Sequence, residues 1–160
     1  MAELIIEVPD TLRRALERMA RSVENRRPLM RAISEDMLDA VMENFAQEGR
    51  PKWLPIQRAG KILQNTRRLM SSIDSDADNN MAVVGTNVVY ARIHNEGGTT
   101  RPHVIRPRYK QALAFNGRVV KKVNHPGSVI PERRFLSLTD DDHNTIHHTI
   151  QDYLDSALDD

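Results

Sequence analysis

Cysteine is absent from the chain, which excludes disulfides, thiolate zinc sites, iron–sulfur clusters and cysteine nucleophiles. This fits a protein made in a reducing cytoplasm, and equally a cysteine-free secreted one. Aromatic residues are scarce, 4% of the chain against 39% hydrophobic residues, so the core must be mostly aliphatic and methionine. An excess of one charge is also lacking: 23 basic residues face 22 acidic ones, a formal net charge of +1. That removes the general argument for a dedicated nucleic-acid binder while leaving local patches open. No apolar run approaches the roughly 20 residues that cross a bilayer. The start, Met1 to Glu7, has neither the basic flank nor the long apolar region of a signal peptide. A soluble protein with no membrane partner is expected.

What is present fits one domain, since 160 residues can close over a single core. With so few aromatics that core is modest, and such a chain is expected to finish burying its apolar faces against neighbours.

Leu4 to Val8 reads as a short strand ended by Pro9. Asp10 can then cap a helix running to about Glu24, on which Leu12, Leu16, Met19 and Val23 recur at helical spacing. Its other face carries Arg14, Arg18 and Arg21, with Glu17 placed to pair with Arg21, and reads as solvated. Pro28 opens a longer helix with a stripe of Met30, Ile33, Met37, Leu38, Val41, Met42 and Phe45, stopped by Gly49 and Pro51. The methionines suit a core or an adaptable interface. Trp53, the only tryptophan, is expected to pin the following loop to the core. A third, shorter helix is expected to place Ile62, Thr66, Leu69 and Ile73 on one side, before a polar, turn-forming stretch from Asp74 to Asn80. Met81 to Gly85 and Asn87 to Tyr90 read as strands, the second ending near Ala91 to His94.

From Gly97 to Arg134 the composition shifts. Arg101, Arg106, Arg108, Lys110, Arg118, Lys121, Lys122, Arg133 and Arg134 are opposed there only by Glu132, and Pro102, Pro107, Pro126 and Pro131 break any long helix. Asn116-Gly117 lies between two apolar runs, the strongest short hairpin signal. This stretch, roughly 99–134, is read as a protruding basic β-hairpin arm and a candidate interface. A last helix, roughly 139–158, is expected to open on a capping box of Thr139 and Asp142, with Ile146, Ile150, Leu154 and Leu158 as its apolar stripe. The fold class is α+β: a single domain over 1–160 with a small antiparallel sheet packed by several helices.

No constellation for catalysis emerges. His94-Asn95-Glu96 matches the H-x-E fragment of zinc deaminases but lacks the required cysteine pair. His143 and His147 are spaced for a helical zinc pair, yet Asn144 stands where a zincin carries its glutamate. An exposed polar helix is the plainer reading. Nucleophile-elbow, phosphate-loop and dinucleotide fingerprints are missing. The expectation is no enzyme, with no catalytic residue, metal or cofactor.

Three segments resemble the phage virion morphogenesis family, which takes in the phage Mu G-like and tail-completion S-like proteins. Lys61 to Ile73 is similar to the family's "L-x-x-T-G-x-L-x-x-S-I", with Arg67 where glycine is usual. Val84 to Gly98 is close to "V-G-T-N-x-x-Y-A-x-I-H-x-x-G-G", and is the most specific of the three; its matching residues include Gly85, Asn87, Tyr90, His94, Gly97 and Gly98. Ile130 to Asp142 resembles "I-P-A-R-P-F-L-G-L-S-x-x-D", keeping Pro131 and Phe135 but replacing the second proline with Arg134. These positions read as structural: glycines for sharp turns, Tyr90 and Phe135 as anchors packing strands against the last helix.

The resemblance implies a virion protein at the head–tail neck or tail end, assembled in the bacterial host cytoplasm. It implies a ring of copies, often a hexamer, contacting other neck and tail proteins. The arm would then reach a neighbour, or line a channel through which genomic DNA passes with non-specific contacts. Two further readings are a tail terminator that stops tube growth and a nucleic-acid-binding module using the arm. A hydrolase is a distant one.

Overall fold

The computed structural model describes residues 9–108, 111–115 and 117–159. The strand expected over Leu4 to Val8 and the arm positions Lys110 and Asn116 lie outside them. The chain divides into two compact units, one of the residues up to Val88 together with Phe135 onward, the other Val89–Arg134.

The first unit is built on three helices: α1 (Asp10–Glu24), α2 (Arg27–Ala46) and α5 (Asp140–Asp159). Helix α2 packs on α5 and α1 on α5. Pro9, not Asp10, occupies the cap of α1, its ψ of 141° giving an extended entry. Asp10 is the first helical residue and pairs with Arg13 at 2.5 Å. Among the described ion pairs none joins Glu17 to Arg21.

Helix α2 begins as expected, with Pro28 in its first turn. Its free N–H groups are served from a distance: the Arg26 and Arg27 amides donate to Asn79 Oδ1 at 2.6 and 3.1 Å. The fully buried side of α2 is Leu29, Ser34, Ala40, Val41, Asn44 and Phe45, while Met30, Ile33, Met37, Leu38 and Met42 are half-buried. Its last carbonyls are satisfied by a tight reversal in which Glu48 adopts φ +56° and the Gly49 amide reaches Asn44 O at 2.8 Å. Trp53 then folds back, edge-on to Phe45 at 5.9 Å. Phe45 also lies 5.3 Å from Phe135, and both phenylalanines have no exposed surface. These three rings form the centre of an aromatic-poor core.

Two expectations for this unit are corrected. The third helix shrinks to one turn, α3 (Arg68–Ser71). Leu63 and Arg67 hold left-handed φ values of 58° and 57°, which a helix cannot accommodate. Ile62, Leu69 and Ile73 are nonetheless buried, so the apolar positions were legible though their geometry was not. Second, the polar stretch after Ile73 contains a strand. β1 (Asp74–Ala77) pairs antiparallel with β2 (Ala82–Gly85), Asp74 opposite Gly85 and Ala77 opposite Ala82. The Asp78 carboxylate closes the turn by accepting from the Asn80 and Met81 amides at 2.7 and 2.8 Å. Both strands pack on α2, which supplies the burial that the β1 sequence does not advertise.

The second unit contains a short helix, α4 (Ala91–Glu96), where a strand end was expected. Thr86 turns the preceding chain by accepting the Val88 amide at 3.1 Å, and Val89 is 97% exposed, so no buried strand face exists here. Among the described residues the remainder is a nested hairpin made of six strands. These are β3 (Gly98–Thr99), β4 (His103–Ile105), β5 (Leu113–Phe115), β6 (Arg118–Val120), β7 (Val123–His125) and β8 (Val129–Ile130). They pair outermost to innermost as β3–β8, β4–β7 and β5–β6, all antiparallel.

Candidate assembly interface

The hairpin runs from the pairing of Gly98 with Ile130 up to the pairing of Phe115 with Arg118. Prolines explain why it is segmented. Pro102 and Pro126 have no N–H to give a ladder and sit across from each other between the outer and middle pairs. The gap is bridged by the Thr100 amide to Ser128 O at 2.9 Å and the Ser128 amide to Thr100 Oγ1 at 2.7 Å. The outer and middle ladders share one register. Between the middle ladder and the tip, however, positions 106–112 face only 121–122, so the register shifts by five residues. Arg106 and Arg108 lie in that excess sequence, opposite Lys121 and Lys122.

None of the described residues of this hairpin is fully buried. Arg101, Arg106, Arg108, Arg118, Lys121 and Lys122 are exposed. So are apolar residues that a finished sheet would cover: Val119 at 76%, Val129 at 80% and Val104 at 50%. Across the middle ladder His103 and His125 stack at 5.0 Å. A two-stranded ribbon with neither face covered is marginal in water by itself. Arg133 and Arg134 behave differently: both follow the last strand, Arg133 is buried, and Arg134 pairs with Glu132.

The residues of the middle motif have separate structural tasks. Gly97, at φ +73°, brings its α-carbon so near the Glu132 backbone that a Cβ would lie 2.9 Å from that nitrogen, and the Arg133 amide donates to His94 O at 2.9 Å. Here the hairpin base closes on α4. Burial, and then the Arg133 charge, push the His94 imidazole below its ordinary pKa, so the neutral ring is favoured. Tyr90, expected as a packing anchor, lies near the surface. It is 40% exposed and meets His94 edge-on at 5.8 Å. Asn87 is exposed and Gly85 closes β2. Pro131 is half-buried.

In the first unit a polar cluster escaped the sequence reading. Arg50 donates two hydrogen bonds to the Asp142 carboxylate oxygens at 3.0 and 2.8 Å, and also donates to Asn44 Oδ1 and Ala40 O, each at 2.8 Å. Asn44, with no exposed surface, gives its amide hydrogens to Phe135 O and Ser137 O at 2.9 and 2.8 Å. Asp142 also completes the expected capping box, accepting the Thr139 amide at 2.7 Å while Thr139 Oγ1 accepts the Asp142 amide at 3.3 Å. Burial would raise the Asp142 pKa, but the bonds from Thr139 and Arg50 and the Arg50 charge together outweigh it and lower it. The cluster ties the end of α2 to the start of α5, which is a structural task.

An open groove is lined by Ser71 to Asp76, Val83 and Gly85 to Asn87, with Ser72 and Thr86 hydroxyls sharing a bond of 2.7 Å. Among the described residues no three histidine or acidic side chains gather as a metal site, and no helix is long and apolar enough to cross a membrane. His143 and His147 are exposed on α5.

A helical unit and a largely exposed basic hairpin make up most of the described residues. Residues 9–155 match the phage virion morphogenesis family, and the chain belongs to that family. It is 40% identical over 154 residues, covering 96% of each chain, to the Mu-like prophage FluMu G protein 2 of Haemophilus influenzae. No solved structure matches it. Its role is thus a structural one in phage virion morphogenesis.

Proposed function

We propose that the chain is a tail-completion or neck protein, acting as one subunit of a ring at the head–tail joint. The observation that carries this is the basic hairpin, exposed on both faces and bearing uncovered valines. Such a ribbon gains its stability from a neighbour, and repeated head-to-tail contacts between copies close into rings. The family and the prophage relative support the setting.

The test is to stop translation of the gene in the phage and examine the lysate by negative-stain microscopy. Filled heads beside separate tails of normal length are expected. Overlong tail tubes would instead mark a terminator, and ordinary complete virions would overturn the proposal. A nucleic-acid reading is favoured only by the cluster around Arg106 and Lys121; it requires DNA affinity that falls steeply with salt.

A further inference from the structure

Helix α1 presents its apolar stripe to solvent. Leu12, Leu16 and Val23 are each about half exposed, at 50%, 54% and 49%. Its contact with α5 uses a different side: Arg18 donates to Leu158 O at 3.2 Å, and the Tyr153 hydroxyl donates to Asn25 O at 3.2 Å. The stripe is therefore only partly covered although the helix is packed: Met19 is half-buried while Leu12, Leu16 and Val23 stay about half exposed. Helix α5 beside it carries six aspartates and no lysine or arginine. Asp141, Asp152 and Asp155 are exposed, and their spacing puts them along one side, away from the half-buried Ile146, Ile150 and Leu154.

The hairpin from Gly98 to Ile130 is the complement of this surface. It holds seven lysines and arginines, no acidic residue, and exposed valines among them. We propose that the hairpin of one copy docks on the α1–α5 helix pair of a second copy. Its cations face the α5 aspartates, and its valines cover Leu12, Leu16 and Val23. The inference rests on the ring reading and names the two surfaces that repeat around it. The contact is head-to-tail, because hairpin and helix pair are different surfaces of the same chain.

The test is sedimentation velocity of the full chain at about 0.1 M salt, where surface charges still act over roughly 10 Å. One variant reverses the hairpin (R118E/K121E/K122E) and another the helix (D152K/D155K), with circular dichroism confirming that each folds. The wild type is expected to form a defined oligomer and each variant to remain a monomer. Mixing the two variants should restore an oligomer of alternating copies, since each reversed surface then meets its opposite. If the hairpin variant keeps the wild-type oligomer, the docking inference falls while the ring reading stands. Folded variants that stay monomeric when mixed also overturn it, because the surfaces then do not meet between copies. A wild type that is monomeric at every concentration overturns the ring reading itself.

Discussion

Replacing Arg50 with methionine removes a guanidinium that makes four hydrogen bonds, to both Asp142 carboxylate oxygens, Asn44 Oδ1 and Ala40 O. The Arg50 and Asp142 side chains are only 18% and 13% exposed, so solvent screens the pair weakly. Breaking a buried pair from one side costs roughly 3–5 kcal/mol. Here Asp142 keeps its bonds from Thr139, which lowers that figure, while the fully buried Asn44 loses a donor to its oxygen, worth about 1–3 kcal/mol. A net loss of about 3 kcal/mol follows. Trp53, the only tryptophan, sits against Phe45 at the end of the same helix, so its fluorescence reports the unit concerned. With a urea slope of roughly 2 kcal/mol per molar, the midpoint should fall by about 1.5 M at fixed protein concentration. The double variant Arg50→Met with Asp142→Asn should lose less than the sum of the singles, because the stranded charge is gone. A midpoint shift under about 0.3 M, or strict additivity, would refute the reasoning.

Three further outcomes follow from particular residues. The Asp142 carboxyl has a lowered pKa, so its contribution to stability is full above the unfolded value near about 4 and is lost as pH falls through the lower folded value. The acid-induced loss of stability should therefore shrink in Asp142→Asn, and unchanged acid unfolding curves would count against the cluster. Arg67 holds φ +57° in an exposed turn, where a side chain costs about 1–2 kcal/mol. Allowing for the extra flexibility glycine brings to the unfolded chain, Arg67→Gly should raise the thermal midpoint by about 2 °C; a fall would show that Arg67 is held by something else. A Cβ on Gly127, at φ +93°, would lie 2.1 Å from Thr100 O. Gly127→Ala should then lose amide-exchange protection across the outer ladders while α2 and α5 keep theirs, and an unaltered hairpin pattern would contradict this.

The long helices were legible because periodic leucines, isoleucines and methionines, Pro28 and the Thr139–Asp142 box are local signals. The core phenylalanines were partly legible. Asn44 was not, because its partners at Phe135 and Ser137 are 91 and 93 residues away, and nothing local distinguishes it from a surface asparagine. Strand β1 was hidden because Asp-Ser-Asp-Ala has poor strand propensity; pairing with β2 and packing on α2 override it. Helix α4 was misread because Val88, Val89 and Tyr90 look like an extended apolar run, yet two of them are exposed. The hairpin was legible from Asn-Gly and its arm was read over roughly 99–134, close to the ladders running from Gly98 to Ile130; what the sequence did not show is that the prolines interrupt the ladder without ending it. Arg67 was read within a helix, and its left-handed φ of 57° was not legible because nothing in an arginine signals it.

The central claim, a subunit built into the head–tail joint, is tested most directly by gold labelling of a tagged copy in purified virions. Gold confined to the neck or the adjoining tail end, in several copies per particle, is the result the account predicts. Complete, infectious particles carrying no gold, or gold spread over the capsid, would contradict it.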